Sequence, residues 1–299
     1  MPSVIDELNA HLLVFGALGR LAAAGLLDTP ASSSDPVAVS SQALLIEAGL
    51  LCADPFGPSD QLRKAIPPGL PLAAVNTFVR EVLGAASRFA EGGPVGWAES
   101  DPELIRSRGA ASAQLVVGRL IPSLLSVMPD VLERLAKPGA VFLDVGVGAA
   151  GIAIRLCQQY PELSAVGLDV SEAALDVARP DVAVAGLQDR IDIRAQSVAD
   201  LADVAAFDLL WVPQPFIPIE ALTQALPRLR TAARSGAALV MQLATHEEMG
   251  LVGLANDLRN LMTGGGTLRP AAAVDLVRTA GFTDVTLMPS GSIVYGRVD

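Results

Sequence analysis

Residues 141–154 read Val-Phe-Leu-Asp144-Val145-Gly146-Val-Gly148-Ala-Ala-Gly151-Ile-Ala-Ile. An apolar run meets Gly-x-Gly-x-x-Gly and passes at once into a helical pattern, which restricts the fold more than any other feature of the chain. Gly146 permits the tight turn, Gly148 lets a ligand approach the backbone, and Gly151 lets the helix pack closely on the strand. Glycines so spaced can also be a plain structural turn. Here a strand precedes them, a helix follows, and the next apolar run, Ser164–Val170, places Asp169 near its end. In a parallel sheet that position is the carboxyl edge, where ribose hydroxyls bind. The segment therefore predicts a nucleoside-containing cofactor, and the glycines alone leave its identity open.

The surrounding pattern is α/β. From Pro138 onward, apolar runs at Ala140–Val145, Ser164–Val170, Ile191–Gln196, Phe207–Val212 and Ala237–Leu243 read as buried parallel strands. Helical stretches at Ile152–Tyr160, Glu172–Ala185, Ile219–Ala233 and Glu247–Met262 separate them, with Pro180 and Pro227 expected to kink or split two of these. Arg269–Thr279 reads as a last helix. Phe282–Met288 and Ser292–Arg297 then read as a terminal hairpin. Before Pro138 the chain is helical. Val4, Leu8, Leu12, Phe15 and Leu18 recur at helical spacing, Val37–Leu51 and Ala73–Phe89 continue the pattern, and Ala53–Leu62 is turn-rich. Leu115–Leu135 is apolar on one side, with Pro122 and Pro129 bending or splitting it. Two domains are expected, a helical one at 1–135 and a nucleoside-binding one at 136–299.

Charge and composition remove several function classes. Lys+Arg number 21 against Asp+Glu 32, a net charge of -11, which repels phosphate backbones and anionic membrane surfaces. The hydrophobic fraction of 51% invites a membrane reading. However, Arg20 interrupts Leu12–Leu27, and Arg119 and Asp130 interrupt Leu115–Leu132, so neither offers about 18 uncharged residues. The start carries Asp6 and Glu7 and no basic residue, unlike a signal peptide, so a cytoplasmic location is expected. Cys52 and Cys157 show no disulfide or zinc spacing, and no metal site is expected. Neither lysine lies in a P-loop context.

Leu143-Asp144-Val-Gly146-Val-Gly148-Ala-Ala-Gly151 resembles motif I of class I S-adenosylmethionine-dependent methyltransferases. An acid two residues before the first glycine is more typical of that family than of dehydrogenases. Ala173–Arg179 followed by Ala185–Ile191 is similar to its second helix and the entry to its third strand. Phe207-Asp208-Leu-Leu-Trp211 resembles its fourth-strand motif, and Ala280-Gly281-Phe282-Thr-Asp-Val285 its last helix-to-strand turn. The resemblance covers Pro138 to Arg297 and implies a Rossmann-like seven-stranded methyltransferase sheet with S-adenosylmethionine as cofactor. It implies that Asp144, Val145, Gly146, Gly148 and Gly151 form the methionine side of the site. Asp169 would accept from the ribose and Val170 pack on the adenine. Gln196, Ser197 and Val198 would flank the adenine, and Trp211 and Pro213 would lie beside the cofactor. Gln196-Ser197 stands where the family often has Gly-Asp. More weakly, Leu12–Asp28 and Leu44–Leu51 resemble the dimerising, substrate-covering domain of small-molecule O-methyltransferases, which implies a homodimer through the amino-terminal helices.

The expected reaction is methyl transfer to a small-molecule acceptor at oxygen, nitrogen or carbon, from an activated sulfonium, so positioning supplies much of the acceleration. Those O-methyltransferases commonly carry a histidine after the fourth strand. Gln214 stands about there in this chain, and an amide cannot take a proton at neutral pH. His246, just after the fifth parallel strand, and His11, on the first helix, are the candidate bases. Phe15, Trp97 and Phe216 are candidate aromatic walls for an acceptor, with Gln214 beside them, whereas Arg106 and Arg108 read as a solvated helix face. An NAD-dependent oxidoreductase shares the glycine turn but does not predict Asp144 or the hairpin. A catalytically silent protein that keeps S-adenosylmethionine as a ligand is the other alternative. A protein or nucleic-acid methyltransferase fits poorly with the charge, and no Asn-Pro-Pro-Tyr-like run follows the fourth strand.

Overall fold

The computed structural model describes residues 3–66, 72, 74–92, 101–125, 127–243 and 250–299. The chain divides into two compact units, Met1–Glu91 and Gly92–Asp299. The first holds α1 (Val4–Ala24), α2 (Pro36–Glu47), a short hairpin of β1 (Leu51–Ala53) and β2 (Phe56–Pro58), α3 (Asp60–Ala65) and α4 (Ala74–Ala90). Ser3 and Asp6 close a capping box at the start of α1, satisfying amides the helix itself cannot. The hairpin occupies the turn-rich segment, where three-residue strands are too short to show alternation.

The periodicity of α1 marks a helix, but its apolar stripe is not all core. Leu18, Leu21 and Ala22 are buried, whereas Val4, Leu8, Leu12 and Phe15 are exposed. Pattern alone cannot tell a stripe covered by the same chain from one left open.

The second unit begins earlier than the change of pattern at Pro138. It opens with α5 (Pro102–Leu115), capped by Asp101, then a π-helical turn at Val116–Leu120, α6 (Ile121–Leu125) and α7 (Pro129–Leu135). Ile105 of α5 packs with Ala149 and Val177, so this helix is built into the α/β unit. The switch at Pro138 marks a change of secondary structure and not of packing. The apolar run, expected to be bent or split by Pro122 and Pro129, is in three pieces, with Pro129 opening the last, where its missing N–H costs nothing.

The sheet then forms from β3 (Val141–Val145), α8 (Gly151–Gln159), β4 (Ser164–Asp169), α9 (Glu172–Val184), β5 (Ile191–Ala195), β6 (Phe207–Pro213), α10 (Ile219–Ala232), β7 (Ala233–Gln242), α11 (Leu251–Met262), α12 (Pro270–Thr279), β8 (Thr283–Leu287) and β9 (Ile293–Arg297). Its order is β5-β4-β3-β6-β7-β9-β8, parallel throughout except at β9, which runs antiparallel to β7 and β8. Alternate residues face opposite layers, as the two-residue period of a strand requires. Leu143, Leu210 and Leu239 pack under Leu226 of α10 and Val277 of α12. Phe142, Leu209 and Val240 pack against Leu156 of α8 and Leu135 of α7. Each such side chain contributes about 1.5–3 kcal/mol, and Leu210→Ala would cost about 2–5 kcal/mol. α9 and α10 run through Pro180 and Pro227 without splitting.

The order reverses between β4-β3 and β3-β6, because the chain leaves β3 toward one edge and returns from β5 to the other side of β3. Ligands bind at such switch points, beyond the carboxyl ends of the strands.

Candidate functional site

The turn after β3 takes three left-handed residues in five. Gly146 has φ 66°, Gly148 φ 56° and Ala150 φ 59°. The first two are free for glycine, but Ala150 carries a Cβ, for which the left-handed region costs about 1–2 kcal/mol. The amide of Val147 donates to the Leu168 carbonyl at 2.9 Å, tying the turn to β4. No atom lies within 4 Å of where a Cβ on Gly148 would stand, so the backbone there faces open space. At Gly151 a Cβ would stand 2.3 Å from the Gly109 carbonyl oxygen, so glycine is required by the crossing of α5 over the start of α8.

Asp169, at the tip of β4, is fixed from both sides. Its Oδ2 accepts from the Gly148 amide at 2.9 Å and its Oδ1 from the Ser171 amide at 2.9 Å. Together these groups frame a cavity of about 240 Å³. Val145, Gly146, Gly148 and Gly151 form its floor. Asp169 and Val170 stand at one rim, with Gln196, Ser197 and Val198 beyond β5. Trp211, Pro213 and Phe216 close the side formed by the end of β6. Val170 is 76% exposed, an apolar side chain left open at the mouth of the cavity.

Asp144 lies behind this wall and is not part of it. Its side chain is buried, it accepts from the Ala153 amide, and its Oδ2 has no hydrogen-bond partner. Burial holds its pKa well above the usual carboxylate range, and the negative charge of Asp169 adds to the effect.

Gln214 does not face an acceptor. It is fully buried, and its Nε2 donates to the Gly265 carbonyl at 2.5 Å. Thr263 Oγ1 donates to the neighbouring Pro215 carbonyl at 2.8 Å. The position expected beside the substrate is therefore a clasp between the exit of β6 and the glycine loop after α11. His11 and Phe15 lie on α1 of the first unit, both exposed. His246 and Trp97 fall outside the described residues.

The sequence reading missed one wall. Ile105, Arg108, Gly109, Ser112 and Val116 line the cavity from one face of α5 and the turn that follows it. Their spacing of three, four, seven and eleven residues is helical, but nothing in it says which partner the face meets. Arg106 is on the solvated side, as expected, with its Nε 3.0 Å from Asp181. Arg108 is not. It is half-buried and its guanidinium stacks on the Phe216 ring, 4.6 Å from the centroid. Gln242, at the end of β7, also lines the cavity and was not anticipated. A polar residue closing a parallel strand was the available signal. Among the described residues no cluster of His, Cys, Asp and Glu is placed to hold a metal ion, and no helix is long and apolar enough to cross a membrane.

Comparison with known proteins says what this part of the chain is similar to. Residues 142–236 match the methyltransferase domain model, a span from β3 into β7 that includes the glycine turn, Asp169 and Trp211. Residues 142–236 thus carry a methyltransferase domain. The donor that such domains use is S-adenosylmethionine. A release factor glutamine methyltransferase from Chlorobaculum tepidum is 38% identical over 103 residues, covering 31% of this chain and 35% of that protein. The chain thus matches about a third of that relative's length. An O-methyltransferase family protein from Burkholderia thailandensis shares the fold end to end, with a TM-score of 0.67 at 17% identity, covering 100% of this chain and 99% of that one. An O-methyltransferase from neocarzinostatin biosynthesis, solved with S-adenosylmethionine and 2-hydroxy-5-methyl naphthoic acid, superposes with a TM-score of 0.59 at 20% identity, covering 97% and 96%.

The residues fit that donor. The open backbone at Gly148 is a cradle that a side chain would fill, Asp169 offers acceptors to ribose hydroxyls, and exposed Val170 offers a surface to adenine.

Proposed function

We propose that the protein transfers a methyl group from S-adenosylmethionine to a small-molecule acceptor. The observation that carries this reading is the fixed Asp169 carboxylate at the rim of a cavity floored by the glycine turn. The donor supplies a methyl already activated on a sulfonium. The chain's part is then to bind, orient and exclude water. Asp169 holds the ribose, Val170 and Val198 sandwich the adenine, and Trp211, Pro213 and Phe216 keep water from the reacting end.

The acceptor is small and its attacking atom needs little help from a base. Among the described residues no histidine lines the cavity, and Gln214 is buried away from it. That favours an amine, an electron-rich carbon or an ionised phenol, with His246 the candidate base otherwise. Curated relatives include protein and RNA methyltransferases. The net charge of -11 and the run Val212-Pro213-Gln214-Pro215-Phe216 argue against both substrates here.

The protein acts as a homodimer. Val4, Ile5, Leu8, Leu12 and Leu13 of α1 are each more than half exposed, a contiguous helical stripe that a second copy would cover. Sedimentation of the intact chain should give twice the chain mass, and Leu8→Glu with Leu12→Glu should return it to a monomer.

Calorimetry with S-adenosylhomocysteine should show saturable binding to one site per chain, with none for NADH. Binding of NADH alone would replace this function with the oxidoreductase. Transfer to no member of a broad acceptor panel, with the cofactor bound, would leave a silent binding protein.

A further inference from the structure

Resting on the reading of the cavity as a methyl-donor site, we propose that Trp211 and Gln242 hold the ionised oxygen of the acceptor, with the indole N–H and the side-chain amide N–H both donating to it. The polar side chains of the cavity are not all in the same condition. On the β4–β5 side they are hydrogen-bonded within the chain. Asp169 accepts two amides, Ser171 Oγ accepts from the Ala174 amide, Ser197 Oγ accepts from the Ala199 amide, and Gln196 Nε2 donates to the Asp200 carbonyl at 3.0 Å. On the β6–β7 side, Trp211 and Gln242 line the cavity, and neither makes a side-chain hydrogen bond among the described residues.

Trp211 is 3% exposed and borders two cavities. The smaller, of about 20 Å³, is lined by apolar side chains alone, among them Leu135, Phe142 and Leu209. An indole N–H turned that way would be a buried donor without a partner, which costs about 1–3 kcal/mol. Among the described residues Trp211 Nε1 is no such orphan. The N–H edge therefore faces the larger cavity. Gln242 shares that face of the sheet. Trp211 pairs with Val240 and Pro213 with Gln242 along β6 and β7, and residues two apart on a strand point the same way. Pro213 also lies against the glycine turn, its Cγ 3.5 Å from where a Cβ on Gly146 would stand. The two N–H groups thus stand beside the turn on which the amino-acid end of the methyl donor lies in the proposed reading.

Such a pair selects the chemistry of the acceptor. An amine attacks with its single lone pair, and an N–H bonded to that pair blocks it. A phenolate or enolate oxygen has further lone pairs, so it accepts two hydrogen bonds and still attacks with another. Hydrogen bonds to the charged form favour that form, so the pair lowers the pKa of a bound hydroxyl without any proton acceptor from the chain. The hydroxyl proton goes to water as the acceptor binds. In the transfer the remaining oxygen pair forms the new C–O bond, and the electrons of the broken S–C bond stay on sulfur as a neutral thioether. The ether product carries no charge and keeps only the weaker, neutral hydrogen bonds, which favours its release.

Absorbance titration of 4-nitrophenol tests this, because its anion is coloured and its neutral form is not. The full chain is first saturated with S-adenosylhomocysteine, which has no sulfonium charge of its own, so any shift comes from the protein. The bound phenol should then ionise about one pH unit or more below the free phenol, as expected for hydrogen bonds to a charged oxygen. Trp211→Phe keeps an aromatic ring, loses the N–H, and should abolish much of that shift. Gln242→Glu puts a carboxylate where the amide stood and should raise the bound pKa above the free one. It preserves the test if Trp211→Phe does not fold. An unshifted phenol on the native chain, a phenol that does not bind where S-adenosylhomocysteine does, or the native shift retained in both variants would overturn the proposal. So would a Trp211→Phe protein that loses affinity for S-adenosylhomocysteine alone, because the N–H would then belong to the methyl donor. If the native chain does not bind S-adenosylhomocysteine, the donor-site reading itself fails, which is distinguishable from failure of the Trp211–Gln242 pair.

Discussion

The side-chain amide of Gln214 donates to the carbonyl of Gly265 at 2.5 Å, joining two loops that are fifty-one residues apart in the chain. The approach leaves no room for a side chain at Gly265, where a Cβ would stand 2.3 Å from the Pro215 carbonyl oxygen and 2.6 Å from that of Gln214. The exit of β6, which carries Pro213 and Phe216 into the cavity, is thereby fixed from behind. Gly265→Ala should destabilise the protein by about 1–3 kcal/mol, the usual cost of overpacking. Gln214→Ala should cost about the same, because it orphans the buried Gly265 carbonyl. Urea unfolding measures both, and a Gln214→Ala protein of native stability would show that the clasp is not needed.

Asp169→Asn should weaken S-adenosylhomocysteine by about 10- to 100-fold, because an amide replaces one of the two carboxylate acceptors and removes the charge. The fold should survive, since Asp169 is only half-buried at a strand tip. Unchanged affinity in a titration would remove Asp169 from the site.

Gly151→Ala should separate α5 from α8. The added methyl meets the Gly109 carbonyl oxygen at 2.3 Å, and backbone cannot swing away as a side-chain end can. Loss of about 1–3 kcal/mol of stability is expected, together with weaker nucleoside binding as the α5 wall lifts. Thermal melting with and without S-adenosylhomocysteine would report both effects.

Asp144 predicts a pH dependence of definite sign. Burial holds its native pKa well above the ordinary aspartate value of 3.8, so the folded state holds a proton that the unfolded state releases. Stability therefore falls as pH rises above about 3.8 toward the native pKa, and the loss is complete beyond it. Asp144→Asn, which mimics the neutral carboxyl, should remove that slope. The variant should be more stable than the native chain at pH 8, with the gap closing toward pH 4. Parallel unfolding curves at both pH values, with no change in the gap, would show that Asp144 is not buried neutral.

Most of the cavity wall was readable from the chain, because strand, turn and helix are consecutive in sequence. Gly146, Gly148, Gly151 and Asp169 announce themselves by spacing, and the apolar runs flanking them gave the strands to within a residue or two, except that β7 starts earlier, at Ala233. What spacing does not encode is contact between distant segments. Gln214 stood at an expected substrate position and is buried against Gly265 instead, a contact set by how a loop folds back. Arg108 was indistinguishable from Arg106 until α5 crossed α8, since two residues on a helix point about 200° apart and only packing decides which is inward. The exposed stripe of α1 has the same periodicity as a buried one.

The central claim is that a sulfonium nucleoside lies between the turn after Asp144 and the tip of β4. A crystal structure with S-adenosylhomocysteine tests it most directly. The expected density is one nucleoside with its ribose hydroxyls on the Asp169 carboxylate and its amino-acid end toward Gly146. An empty cavity at saturating ligand, or a dinucleotide with its pyrophosphate on Gly148, would contradict it.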